Sequence, residues 1–132
     1  MKIVALDDEE QYIELLKEIT KKSYREEDYE FRGYTNVESF LFDMEDGEYD
    51  IILLDMELPG TNGLEVGQKV RLLHPEAFII FITNHVEYAV EAYEVNTFRY
   101  IPKVLLKEKL PEAYNVLWIE MQLKERKYFV IQ

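Results

Sequence analysis

The run Ile51-Ile52-Leu53-Leu54 offers no polar residue to either side of the strand it would form, and it ends at once in Asp55. A strand apolar at every position is buried on both faces, which requires helices above and below the sheet and favours parallel pairing. Phe78-Ile79-Ile80-Phe81-Ile82-Thr83 repeats the pattern and also closes on a polar residue. Lys2-Ile3-Val4-Ala5-Leu6 does so a third time and runs into Asp7-Asp8.

Helical patterns separate these runs. Tyr12, Leu15, Leu16 and Ile19 recur at helical spacing and predict a first helix over about Glu9–Ser23. Tyr29–Tyr34 reads as a mixed strand. The second helix opens on the capping box Thr35-x-x-Glu38, carries Val37, Phe40, Leu41 and Met44, and ends near Asp46-Gly47. Leu64, Val66, Val70 and Leu73 mark a third helix, which Pro75 stops. A helix over about Val86–Glu94, a strand over about Phe98–Ile101 and a helix over about Pro111–Arg126 complete the pattern. Five strands interleaved with five helices predict one small doubly wound α/β domain.

At 132 residues the chain has room for one such domain and its core. No apolar stretch nears the roughly 20 residues that span a bilayer, and no secretory signal pattern precedes Asp7, so no membrane contact is expected. Cysteine is absent, which excludes disulfides, thiolate metal sites and thiol catalysis and is compatible with a cytoplasmic location. The net charge is −12, and all of it lies early: residues 1–60 hold 18 acids and 6 bases, the remainder nine of each. That surface repels phosphate backbones, so direct contact with nucleic acid is not expected of this domain.

Ligands of open α/β sheets bind outside the carboxyl ends of the strands. The residues at those ends are Asp7, Asp8, Asp55, Thr83 and the Pro102-Lys103 pair. Three carboxylates brought together this way need a cation. Magnesium suits all-oxygen ligands and keeps several waters, so a few carboxylates suffice. A carboxylate beside such an ion can attack phosphorus and form an aspartyl phosphate. Thr83 can donate a hydroxyl to a phosphoryl oxygen, and Lys103 adds positive charge where transfer demands it.

Taken together, Leu6-Asp7-Asp8-Glu9, Asp55-x-x-Leu58-Pro59-Gly60-x-Asn62-Gly63, Thr83 at the end of a strand and Tyr100-x-x-Lys103 resemble the receiver domain of bacterial two-component response regulators over residues 1–125. The resemblance implies a flavodoxin-like five-stranded parallel sheet of strand order 2-1-3-4-5. It implies a phosphoacceptor signalling domain rather than an enzyme, assisting its own phosphorylation, with Asp55 as acceptor. Asp7, Asp8, Asp55 and the backbone carbonyl of Glu57 would hold Mg²⁺, Asp7 mainly through water. Thr83 and Lys103 would contact the phosphoryl group, and Thr83 with Tyr100 would form the switch pair. The implied partners are a sensor histidine kinase and a second copy of the phosphorylated chain. Thr83-Asn84-His85-x-Glu87-Tyr88-Ala89-x-x-Ala92-Tyr93-Glu94 is similar to the LytR/AlgR subgroup, whose receivers precede a LytTR-type DNA-binding domain. Residues 126–132 are then a linker or the start of such an output domain, and Lys127–Gln132 has the alternation of a strand.

Several positions depart from the family pattern, among them Arg99, which stands where an acid is common in this subgroup. Val104 follows Lys103 where the family usually has proline in a cis bond, so a trans peptide is expected. Glu57 and His85 occupy positions that influence phosphoryl hydrolysis in related receivers.

Blander readings sit beside these. Asp55 alone could cap a turn, Asp7 or Asp8 could cap the first helix, and Thr83 and Tyr100 could be ordinary strand residues. The run Tyr88, Ala89, Val90, Ala92 and Tyr93 reads mostly as a core stripe, and what remains exposed of it, with Trp118 and Met121, is a candidate for a dimer face. A different chemistry is also open: an aspartyl-phosphate phosphohydrolase of haloacid dehalogenase type would use the same Asp, Thr and Lys, with Glu57 nearest to its general acid.

Overall fold

Strand β1 (Lys2–Leu6) pairs in parallel with β2 (Glu30–Tyr34) on one side and β3 (Ile51–Asp55) on the other. Strand β4 (Phe78–Thr83) pairs with β3, and β5 (Arg99–Pro102) pairs with β4. The order is β2-β1-β3-β4-β5, as the resemblance implies. The structure, a computed structural model, describes the backbone of residues 1–131 and the side chains of all of these except Val86 and residues 126–131.

All five residues of β3 are buried, the consequence of its unbroken aliphatic sequence. Ile3, Ala5, Ile51, Leu53, Ile80 and Ile82 share a core with helices α1 (Glu10–Ser23) and α5 (Leu106–Ile131) through Ile13, Leu16, Leu110, Tyr114 and Leu117. Val4, Leu6, Ile52, Leu54, Ile79 and Phe81 face the other way. They pack with α2 (Val37–Asp46), α3 (Gly63–Leu73) and α4 (Ala89–Tyr93) through Phe40, Met44, Val66, Val70 and Ala92. Each fully buried aliphatic side chain contributes roughly 1.5–3 kcal/mol, so the two cores commit the sheet to this sidedness.

Register levels the carboxyl ends. Leu6 is opposite Leu54, Asp55 opposite Ile82, and Thr83 opposite Pro102. The residues that follow Leu6, Leu54, Ile82 and Pro102 therefore emerge along one edge of the sheet.

Several local expectations are corrected. The cap of α2 is Asn36, whose Oδ1 accepts the Ser39 N–H at 2.9 Å, and not the Thr35 box. Helix α1 begins at Glu10 without a side-chain cap, so neither Asp7 nor Asp8 caps it. The fourth helix is a 3-10 turn (Val86–Tyr88) followed by only five α-helical residues, and Asn96 with φ 58° follows it in the left-handed region. Helix α5 starts at Leu106, five residues before the predicted start at Pro111, because Leu106 and Leu110 are buried one turn apart and draw that turn onto the sheet. It continues to Ile131, so 127–131 are helical where alternation predicted a strand; Gln132 lies outside the described residues.

A two-stranded antiparallel ribbon, Glu57–Leu58 with Thr61–Asn62, was not predicted. Pro59-Gly60 makes its turn, with Gly60 at φ 72° as the second turn position of this type requires. The ribbon leads straight into α3, which Asn62 caps by accepting the Glu65 N–H at 2.9 Å.

Candidate phosphoacceptor site

Asp55 is the last residue of β3, and its side chain is almost fully enclosed, with 1% of its surface exposed. One carboxylate oxygen, Oδ1, accepts the Glu57 N–H at 3.2 Å. The other, Oδ2, is buried and has no hydrogen-bond partner. The loop beyond is held close by a glycine: a Cβ on Gly63 would lie 2.2 Å from the Asp55 carbonyl oxygen. The Gly63 N–H also donates to the Met56 carbonyl at 2.9 Å, so this close approach fixes the path of the chain past Asp55.

Asp7 leaves β1 buried, and its Oδ1 accepts the Glu9 N–H at 2.9 Å. Asp8 is exposed. One carboxylate oxygen from each of Asp7, Asp8 and Asp55 lies within 4.8 Å of the others. Lys103, in the turn after β5, reaches into the same crevice. Its Nζ is 3.1 Å from Asp7 Oδ2, 3.6 Å from Asp55 Oδ2 and 3.8 Å from Glu9 Oε2. The Lys103-Val104 peptide is trans.

The titration behaviour follows from burial. Enclosure, reinforced by the neighbouring Asp7 charge, pushes the Asp55 carboxyl up to about 7. Burial also raises Asp7, against the pull of the Glu9 N–H and Lys103. Burial alone would lower Lys103, but the carboxylates of Asp55 and Asp7 outweigh it and hold its ammonium charged. The crevice carries more acid than its lysine can neutralise. A buried Asp55 oxygen without a hydrogen bond, in a cluster of three carboxylates, fits a hard divalent cation, and the all-oxygen donor set fits Mg²⁺.

Thr83 ends β4 fully buried, and its Oγ1 accepts the His85 N–H at 3.1 Å, which leaves the hydroxyl hydrogen able to donate. Tyr100 is half-buried on β5, and its hydroxyl donates to the His85 carbonyl. The Glu57 side chain lies out at the mouth, 2.9 Å from His85 Nε2, while His85 Nδ1 is 2.8 Å from Glu87. Its bond to Glu87 first, and then to Glu57, raises the His85 imidazole above its usual range.

The structure thus brings together Asp7, Asp8, Asp55 and Lys103, with Thr83 at the end of the strand beside β3 and Tyr100 linked to it through His85. It also adds residues that reasoning from the sequence passed over. In the sequence Tyr12 reads only as a core position, yet its ring lies under the Lys103 ammonium. No local signal distinguishes it from other apolar positions of α1. The residues named for a dimer face lie on the two sides of the sheet. Trp118 packs its ring 5.6 Å from that of Tyr24, and both border the α1–α5 side, whereas α4 belongs to the opposite core. The exposed apolar residues nearest that expectation are Val90 and Tyr93 of α4 and Val104 beyond β5.

Fold and crevice together define a sheet-end acidic pocket of the receiver class. Residues 3–115 match the family model for the response regulator receiver domain, and the chain belongs to that family. Among similar proteins, the transcriptional regulatory protein LytR of Staphylococcus aureus is 41% identical over 68 residues, which cover 52% of this chain and 28% of LytR. The sensory transduction protein LytT of Bacillus subtilis is 28% identical over 114 residues, covering 86% of this chain and 46% of LytT. The chain therefore spans less than half the length of these relatives. Among solved structures, the response regulator protein TrrA of Thermotoga maritima, in complex with Mg²⁺ and BeF, matches with a TM-score of 0.75 at 33% identity over 88% of this chain and 97% of that one. The response regulatory domain of mrkE from Klebsiella pneumoniae has the same fold, with a TM-score of 0.84 at 24% identity, covering 93% of this chain and 99% of that one. Nothing in these relationships supports the haloacid dehalogenase alternative. Among the described residues no helix is long and apolar enough to cross a membrane.

Proposed function

We propose that this receiver domain accepts a phosphoryl group on Asp55 from the phosphohistidine of a sensor histidine kinase. The observation that carries the reading is the convergence of Asp7, Asp8 and Asp55 on one side of the crevice with Lys103 reaching into the same space. Asp7, Asp8, Asp55 and the Glu57 carbonyl would hold Mg²⁺, which when bound neutralises the incoming phosphoryl oxygens and favours ionised Asp55.

The chain's own groups do the rest. An Asp55 carboxylate oxygen forms the new O–P bond as the P–N bond to the donor imidazole breaks, and the imidazole leaves with that electron pair. Burial excludes water from the nucleophile until a donor covers the mouth. Lys103 supplies a positive charge to the transferred group, and the Thr83 hydroxyl donates to one of its oxygens. Phosphorylation adds about −1.5 to −2 charges at the end of β3. Thr83 would then donate its hydroxyl hydrogen to the phosphoryl group, and the shift of its oxygen would act on the bond it accepts from the His85 N–H. Tyr100 is tied to the same His85 through its carbonyl, so the two responses are coupled through one residue. The β4–α4 loop and β5 carry that change to the surface, where it favours pairing with a second copy.

The relatives' lengths and the name of LytR as a transcriptional regulator support a further DNA-binding domain of LytTR type after residue 125, with residues 126–132 leading into it; the receiver family fits a chain acting in the cytoplasm. Incubation with a small phosphodonor and Mg²⁺, followed by intact mass, tests the core of this reading. One stoichiometric addition that chelator abolishes and that Asp55→Asn lacks is expected. Equal labelling of both chains would overturn it.

A further inference from the structure

The Lys103 ammonium meets four groups, and three of them are carboxylates. The fourth is an aromatic face: Nζ lies 3.9 Å from the centroid of the Tyr12 ring. The lysine side chain is only 6% exposed, so this contact is made largely out of water, where a cation–π attraction is strongest. Tyr12 is the third residue of α1, half-buried and packed on the α1–α5 core, which holds its ring in place from behind.

The geometry points to Tyr12 as the positioning residue of Lys103, seating its ammonium in the crevice independently of the carboxylates. This rests on the phosphoacceptor reading above. In that cycle the other partners of the lysine change. Asp7 and Asp55 are the groups that a bound cation would claim, and phosphorylation of Asp55 replaces its free carboxylate with a phosphoryl group whose charge lies farther out. Glu9 stands 3.8 Å away and is half exposed, which makes it a weak anchor. The aromatic face does not ligate a hard cation, so its attraction persists through each state. It keeps Nζ close to the place where phosphoryl oxygens arrive, at little reorganisation cost.

The test uses the full chain with Tyr12→Phe and Tyr12→Leu, each alone and combined with Lys103→Met. The first readout is the NMR shift of the Lys103 ε-methylene in metal-free protein. A ring-current displacement is expected in the native chain and in Tyr12→Phe, and its loss in Tyr12→Leu. The second is the rate of labelling by a small phosphodonor with Mg²⁺. Tyr12→Leu should slow it by roughly three- to tenfold, the size such a contact carries, while Tyr12→Phe stays within about twofold. In the Lys103→Met background Tyr12→Leu should add nothing further. An equal slowing in that background would show a packing role and overturn the proposal. So would an ε-methylene without a ring-current shift in the native chain, a measurement that needs no variant to fold. Asp55→Asn runs in parallel: labelling that persists in it refutes the phosphoacceptor reading, while the NMR arm still reports on Tyr12 and Lys103.

Discussion

Lys103 Nζ lies closer to Asp7 Oδ2, at 3.1 Å, than to Asp55 Oδ2, at 3.6 Å. The lysine thus neutralises the acid that would assist a cation more directly than the acid that would accept phosphate. All three side chains are enclosed, so the interaction is poorly screened and removing the lysine leaves two buried charges uncompensated.

Lys103→Met should therefore destabilise the metal-free protein at pH 8 by about 3 kcal/mol. Mg²⁺ should restore more stability to this variant than to the native chain, because the competing ammonium is gone. Urea unfolding with chelator and with Mg²⁺ checks both. A variant as stable as native in chelator would contradict the geometry.

The raised Asp55 carboxyl predicts a pH dependence. Its folded value of about 7 lies above the unfolded value near 4, so the folded state binds the extra proton between them. Stability from this group is fully present below about pH 4 and is lost as pH rises through about 7. Asp7 shifts in the same direction. In chelator, native protein should lose roughly 3 kcal/mol relative to Asp55→Asn between pH 4.5 and 8, measured by denaturant unfolding. Parallel curves for the two proteins would refute the shift.

Two glycines of the loop after Asp55 should respond differently. A Cβ at Gly63 collides with backbone, 2.2 Å from the Asp55 carbonyl oxygen and 2.7 Å from Met56 Cα, so Gly63→Ala must move the acceptor loop. More than tenfold slower labelling by a small phosphodonor is expected, with a loss of about 2–4 kcal/mol. At Gly60 nothing lies within 4 Å, and only φ 72° opposes a side chain. Gly60→Ala should cost about 1 kcal/mol and leave the labelling rate within about twofold.

Arg71 is a structural tie. Its guanidinium donates to the carbonyls of Val95, His74, Pro75, Ala77 and Asn96, joining the end of α3 to the end of α4. Arg71→Met strands several of these acceptors and should cost about 2–3 kcal/mol. Hydrogen exchange should rise over Val95–Phe98 while the β1–β3 pairing stays protected. Uniform loss of protection would show that Arg71 supports the whole fold and not this junction.

The sheet and most of the crevice were legible in the sequence because their causes are local. Ile51–Leu54 and Phe78–Ile82 can only be buried strands, and a polar residue ending such a strand has one edge to occupy. Asp55, Thr83 and Lys103 followed from that rule, and Pro59-Gly60 announced the turn beside them. Less local choices were misread. Thr35 and Asn36 are both acceptable caps, and it is Asn36 that accepts the Ser39 N–H. Pro111 looked like a helix start until the burial of Leu106 and Leu110 carried the helix past it.

What the amino-acid order settled by itself was the parallel sheet and the identity of the acids at its edge, since alternation, length and turn chemistry act over a few residues. Tertiary packing decided which oxygen of Asp55 lacks a partner, how far its carboxyl titrates upward, and that Tyr12 of the first helix lies under Lys103 from the last strand's turn. Those facts depend on distances between segments far apart in the chain, and burial strengthens electrostatic effects only once the crevice has closed around them.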